Sequence, residues 1–224
     1  IVGTVGASAM QNIGAYGVEA KETIDSVTFW SWEEKLFITL SNHDCAFGYR
    51  DSVFKHGLKN SVFITSVVFR LNKQPQFNTT YGAIEQELES MGVHEPSVKA
   101  IAQAVINIRT SKLPDPKQIG NAGSFFKNPT IHRSQFDALH AAHPNMPSYK
   151  VSDELVKVPA GWLIEQCGWK GHRSGDTGVH TKQALVLVNY GNANGNEVWA
   201  LSQQILDSVK EKFGIELERE VQVW

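Results

Sequence analysis

Cysteine is nearly absent from this chain. Two in 224 residues, Cys45 and Cys167, stand in unrelated contexts with no CxxC spacing, which excludes a zinc ribbon or a disulfide framework and fits a reducing cytoplasm. The eight histidines show no H-E-x-x-H or similar ligand spacing, so no metal is expected. Neither sign of charge dominates. The formal charge is −2 with no polybasic tract, leaving no field to attract nucleic acid. No apolar run approaches the roughly 20 residues of a membrane helix. There is no GK[ST] of a P-loop, and no G-x-G-x-x-G follows a strand, so nucleotide folds of those types are unsupported. Internal repeats are missing too. Asn78-Thr79-Thr80 matches a glycosylation acceptor, a pattern common by chance.

What is present is an ordinary globular composition, 42% hydrophobic and 20% charged, long enough for one large domain or two ordinary ones. DSVTFWSW and KLFITLS read as strands of a hairpin, with the acidic pair Glu33-Glu34 between them. SVFITSVVFRL is a further strand. From Pro96 to Ile108, apolar residues recur at helical spacing. RTSKLPDPKQIGNAG breaks all periodicity and marks a domain junction or site loop. Beyond it come a short helix over 135–143, the PNMPSY loop, a helix ending at Cys167-Gly168 and a strand, QALVLVN. The longest helix is expected from about Glu197 to Phe213, stopped by Gly214. In the closing stretch Ile215, Leu217, Val221 and Val223 alternate with Glu216, Glu218 and Glu220, the pattern of a strand. The fold class is α+β, with domains at 1–108 and 109–224. The chain opens on Ile1, and IVGTVGASAMQNIGAYG reads as the middle of a domain, so a preceding segment is expected.

Six places are candidates for chemistry. In GNAGSFFKNP, residues 120–129, small residues lead to one hydroxyl, Ser124, followed by two phenylalanines, a cation and an amide; this looks like a hydroxyl in a dry pocket. The glycine-rich opening suits a ligand loop and a plain turn equally. In CAFGYRDS, a surface salt bridge beside a packed tyrosine is the simplest reading. Lys112 reads as a loop lysine and Glu220 as a solvated carboxylate, while His180 is as readily a core residue as a site residue.

Taken together, QNIGAYGVE, FGYRDSVFK, KLPDPK, GNAGSFFKNP, AGWLIEQCGWKG and HTKQALVLVN occur in that order, and they resemble the successive motifs of the UDP-N-acetylenolpyruvoylglucosamine reductase family. These flavin enzymes complete the muramic acid sugar of the bacterial cell wall. The resemblance extends to LEREV, residues 217–221, and so covers essentially the whole chain. It implies FAD and NADPH as cofactors, a UDP-sugar substrate, a cytoplasmic monomer, and no nucleic-acid or membrane partner. By the same resemblance Ser124 is the proton donor, and Arg50 and Glu220 flank the substrate carboxylate. Tyr49 and Asn128 line that pocket, and Tyr81, Lys112 and Gln183 match substrate contacts. Tyr149 matches a loop tyrosine that closes over the sugar nucleotide. Gly3, Gly6, Ser8, Met10, Asn12, Ala15, Gly17 and Ile64 match the FAD site. Val2 and Ala9 stand where the family often has proline, which implies a less rigid flavin loop.

The chemistry agrees with these assignments. Hydride delivered to an enolpyruvyl ether builds negative charge toward the carboxylate, where fixed donors lower the barrier most. A proton must then reach carbon, and a positioned hydroxyl can give it; Lys127 or Asn128 is expected to help Ser124, and Phe125 and Phe126 to keep water out. The family's glycine-rich stretch that holds the FAD diphosphate is not among these residues. A non-catalytic UDP-sugar-binding fragment without flavin is therefore the alternative, and another oxidoreductase on the same flavin fold is a third reading.

Overall fold

The N-terminal sheet follows from its sequence pattern. A computed structural model describes residues 3–80 and 83–222, and these divide into two compact units, 1–106 and 107–224. In the first unit a short helix α1 (Val5–Met10) precedes a small hairpin, β1 (Gly14–Ala15) and β2 (Val18–Glu19). The main sheet is β3 (Ile24–Ser31), β4 (Leu36–Ser41) and β5 (Val62–Phe69), antiparallel in the order β4-β3-β5. The expected hairpin is there, with Trp30 opposite Phe37. Period-two alternation sends Val27 and Phe29 inward, where they pack with Ala9, Ile24, Cys45 and Phe54. The other face carries a row of aromatics, Phe37, Trp30 and Phe63, of which Phe37 and Phe63 are each 63% exposed.

Two helices close the unit. α2 (Ile84–Ser90) was not foreseen; its signal is the pair Ile84 and Leu88, four residues apart and both buried. α3 (Val98–Lys112) matches the expected helix but runs past Ile108 into RTSK. Nothing in that stretch stops it before Pro114, and the Ser111 hydroxyl donates back to the Ile108 carbonyl at 2.9 Å. Lys112 is thus the end of a helix and not a loop residue.

The second unit is built on the strand β6 (Gly120–Ser124) and three more elements that follow it closely, β7 (Thr130–His132), α4 (Arg133–Ala142) and β8 (Tyr149–Lys150). Then come β9 (Leu155–Lys157), α5 (Ala160–Gln166), β10 (Arg173–Ser174), β11 (Thr177–Val179), β12 (Val186–Asn189) and α6 (Gly195–Phe213). Two sheets form, in the orders β10-β11-β12-β6 and β7-β9-β8. QALVLVN yields a strand only from Val186, because Gln183 and Val186 close a turn through the Gln183 carbonyl at 3.1 Å. α6 starts two residues before Glu197, capped by Asn194 in a reciprocal box with Glu197, and ends at Gly214 with φ +63°. Its apolar stripe, Leu201, Ile205, Val209 and Phe213, completes a core with Phe125, Phe126, Leu163 and Val186's neighbours Ala184 and Leu187.

The closing stretch keeps its alternation but is not a laddered strand. Ile215 and Leu217 are buried and Val221 packs against the core, yet among the described residues a single bridge, Phe126 with Arg219, pairs it. Val2 and Val223, like Tyr81, lie outside the described residues. Among those residues, no helix is long and apolar enough to cross a membrane.

Candidate functional site

In the first unit, the glycine segment and the GYRDS turn are knitted together. Asn12 is buried, sits at φ +47°, and is held three ways. Its Nδ2 donates to Glu19 Oε2 at 3.0 Å and to the Gly48 carbonyl at 2.8 Å, and its Oδ1 accepts from the Lys21 N–H at 2.9 Å. The Ser52 hydroxyl donates to the Met10 carbonyl. Arg50 donates from Nη2 to the Gly14 carbonyl at 2.5 Å, with its guanidinium 5.2 Å from the Tyr49 ring centre. A Cβ on Gly14 would lie 2.8 Å from the Val18 carbonyl oxygen and 3.2 Å from Arg50 Nη1. Only glycine fits there.

Two expectations are corrected here. The opening residues are not a loop: Thr4 caps α1, which contains Gly6, Ser8, Ala9 and Met10, so Ala9 has the restraint of a helix and not the looseness expected of it. Nor does Arg50 pair with Asp51. Arg50 takes a left-handed corner, φ +55°, in a turn bridged by Gly48 and Asp51, and Asp51 pairs instead with His56 Nε2 at 2.8 Å. Partial burial pushes the Asp51 carboxyl up, but the hydrogen bond and charge of His56 outweigh it and hold it below its usual value.

The residues matched to FAD divide by what they have to offer. Ser8 is buried and donates to the Val5 carbonyl at 2.6 Å, and Asn12 is saturated as described. What fits a flavin is therefore main chain at Gly3, Gly6, Ala15 and Gly17, with Ile64 as an apolar flank beside Gly6. Tyr16 and Gly17, at φ +55° and +77°, form the tight turn of the β1–β2 hairpin, the backbone shape of a type I′ turn.

In the second unit, four of the matched residues gather around the end of β6. Ser124 pairs with Val186, and the next amide, Phe125 N–H, donates to the Leu185 carbonyl at 2.7 Å. The chain then runs beside the closing stretch: Lys127 N–H donates to the Glu218 carbonyl and Glu220 N–H to the Phe125 carbonyl, both at 2.8 Å. Ser124 and Glu220 are thus brought together from 96 residues apart in the numbering. Asn128 Oδ1 accepts the Ala160 N–H at 2.9 Å, and Gln183 Oε1 lies 3.2 Å from where a Gly161 Cβ would stand. Asn128 and Gln183 therefore meet at the start of α5.

The dry pocket around Ser124 is not built. Ser124 is exposed, and no hydrogen bond holds its hydroxyl among the described residues. Both phenylalanines belong to the core, 4% and 1% exposed with ring centres 5.4 Å apart, because the chain needs apolar anchors where it leaves the sheet. Lys127 is not beside the hydroxyl either: its ammonium is ion-paired with Glu218.

Lys112 and Tyr149 stand further out. Lys182, not singled out in the sequence, donates from Nζ to the Ser111 carbonyl at 3.2 Å and so brings the Gln183 turn to the end of α3 beside Lys112. His180 is held below its usual value by partial burial and by the Lys182 charge. Tyr149 is half-exposed on β8, in a different sheet from Ser124. Arg219 was also passed over, although an arginine on the apolar side of an alternating stretch is a visible signal.

Comparison with known proteins bears on this geometry. Residues 115–224 match the model of the C-terminal domain of UDP-N-acetylenolpyruvoylglucosamine reductase. Proteins of that name from Chromobacterium violaceum and Flavobacterium johnsoniae are 52% identical over 221 residues and 51% identical over 224. These alignments cover 98% and 100% of this chain but 65% and 66% of those proteins, so the chain spans just under two thirds of their length. A crystal structure of UDP-N-acetylenolpyruvylglucosamine reductase from Thermus caldophilus shares the fold, with a TM-score of 0.61 at 23% identity over 98% of this chain and 60% of that one. Throughout its length the chain is similar to UDP-N-acetylenolpyruvoylglucosamine reductases, and residues 115–224 of its second unit match the C-terminal domain of that family.

Proposed function

We propose that this chain serves the reduction of UDP-N-acetylglucosamine enolpyruvate to UDP-N-acetylmuramate in peptidoglycan precursor synthesis. The observation that carries this reading is the bridge joining residues 125–127 to 218–220, which sets Ser124 and Glu220 at one end of β6. Main chain at Gly3, Gly6, Ala15 and Gly17 would hold FAD, which, reduced by NADPH, would supply a hydride to the terminal carbon. Ser124 gives the proton to the neighbouring carbon, so one hydride and one proton saturate the double bond. Its exposed hydroxyl then regains a proton directly from water. Arg50 and a protonated Glu220 stabilise the charge that develops at the carboxylate. Asn128 and Gln183 orient the substrate from the start of α5 and Tyr49 from its turn, and Tyr81 contacts it too. Lys112 attracts the diphosphate, and Tyr149 covers the sugar nucleotide. The protein works as a cytoplasmic monomer.

Ser124→Ala in the FAD-loaded full-length protein tests this. Substrate reduction should fall by roughly 10²–10⁴-fold while NADPH still reduces the flavin. Equal loss of both half-reactions, or of neither, would remove Ser124 from the chemistry. A second reading, a UDP-sugar binder without flavin, is favoured by the internal use of the Ser8 and Asn12 polar groups. Incubation with FAD followed by gel filtration separates the two: a retained flavin absorbance supports the reductase, and its loss supports the binder.

A further inference from the structure

The closing stretch is buried on one side but is not held by a strand ladder. Among the described residues it makes one isolated bridge, and the residue presented next to that bridge is Glu220. Arg219 supplies what the ladder does not. Its Nε donates to Ser202 Oγ at 2.8 Å, its Nη2 donates to Gln203 Oε1 at 2.7 Å, and its guanidinium lies 3.8 Å from the Trp199 ring centre. Trp199, Ser202 and Gln203 are spaced i, i+3 and i+4 on α6, so they form one continuous strip along the helix.

That strip is itself fixed. Ser202 is fully buried and its hydroxyl donates to the Trp199 carbonyl at 2.6 Å, while Gln203 Nε2 donates to Asp207 at 2.8 Å. The acceptor atoms that meet Arg219 are therefore already oriented. A planar guanidinium can satisfy two acceptors and a ring face at once; an ammonium cannot.

We infer that Arg219 is a positioning residue, which locks the closing stretch to α6 in the one register that presents Glu220 at the end of β6. In an extended chain successive side chains take opposite sides. Ile215, Leu217 and Val221 face the core, and Arg219 is tied to α6 on that same side. Glu218 is on the other side, where Lys127 pairs with it, and Glu220 shares its parity. A slip of one residue would exchange the two sides and put a carboxylate against Trp199. Arg219 thus acts through Glu220, and the inference rests on the role proposed for Glu220.

Arg219→Met and Arg219→Lys test it, beside Glu220→Gln. In hydrogen exchange on the chain itself, Arg219→Met should strip protection from the Lys127 and Glu220 amides while α6 amides near Ile205 stay protected. In the FAD-loaded full-length protein, substrate reduction should fall on the order of 10- to 100-fold, with flavin reduction by NADPH unchanged. Arg219→Lys should recover only part of that loss. On a Glu220→Gln background, Arg219→Met should cost almost nothing more, since both act through one carboxyl. Unchanged exchange at Glu220, or full additivity of the two substitutions, would overturn the inference. If Glu220→Gln retains full activity, the proposed role of Glu220 fails instead.

Discussion

Asn128, proposed as a substrate contact, also has a job in the fold. Its Oδ1 accepts the Ala160 N–H, one of the amides that the first turn of α5 leaves without a helical partner. Pro159, the residue in the capping position, has no side-chain acceptor to offer. Asn128→Ala should therefore destabilise the second unit by about 1 kcal/mol, as other lost caps do, whereas Asn128→Asp keeps the acceptor and should melt near the wild type. Thermal melts of the two variants decide it. A drop in substrate binding by Asn128→Asp without a change in melting would then belong to the amide's Nδ2. Asp51 poses the same question in charge. Its folded carboxyl is held low by His56, so the stability it adds is present above its unfolded pKa and is lost as pH falls through the lower folded value. With the pair more than a third exposed, solvent screens the effect. Asp51→Asn should lower the stability-against-pH curve slightly above the unfolded pKa of a carboxyl, flatten its acid limb, and leave it unchanged at a pH below the folded value.

Elements show where sequence patterns speak clearly and where they do not. The β3–β4 hairpin and α6 were legible because period two and period 3.6 are written in apolar residues, and α6 also carries a stop in Gly214. α1 was not, because four glycines and small residues in the first 17 positions read as a loop, while the deciding feature is the Thr4 cap and packing against β5. Gly14 was legible only as a glycine. Its necessity comes from the Val18 carbonyl and Arg50, which reach it from elsewhere in the chain. Gly14→Ala should cost the first unit about 1–3 kcal/mol as an overpacking change and loosen Arg50, seen as a lower urea midpoint. The exposed aromatic row behaves oppositely. Phe37→Thr removes a cross-strand pair with Trp30, whose rings lie 5.0 Å apart, and should cost no more than about 1 kcal/mol.

At the scale of the molecule, each unit has a core of its own. The cluster around Phe29 and Phe54 belongs to the first unit, and the cluster around Leu163 and Ile205 to the second. Each also contains one cysteine. Cys45 is fully buried and its thiol is pushed up to about 11 by that burial and by Asp44. Burial also raises Cys167, whose Sγ lies 3.6 Å from the Ser208 carbonyl. Both thiols are thus protonated at neutral pH, Cys45 buried and Cys167 half-buried, so the change in thiol-reagent labelling rate along a urea titration should report the two units separately. Two distinct labelling midpoints are expected; simultaneous labelling would mean that the units unfold as one.

The sequence by itself determined the α+β class, most of the longer elements and, through six ordered motifs, the family it resembles, because apolar periodicity and motif order survive without a third dimension. Tertiary structure decided the rest. Whether Ser124 lies in a dry pocket depends on where Phe125 and Phe126 point, and they point into the core. Which group Arg50 meets depends on a turn that carries it away from Asp51 to Gly14. Where Glu220 stands depends on an arginine reaching across to α6. Each is a contact between residues distant in the chain, whose geometry is fixed only when the backbone has folded around both.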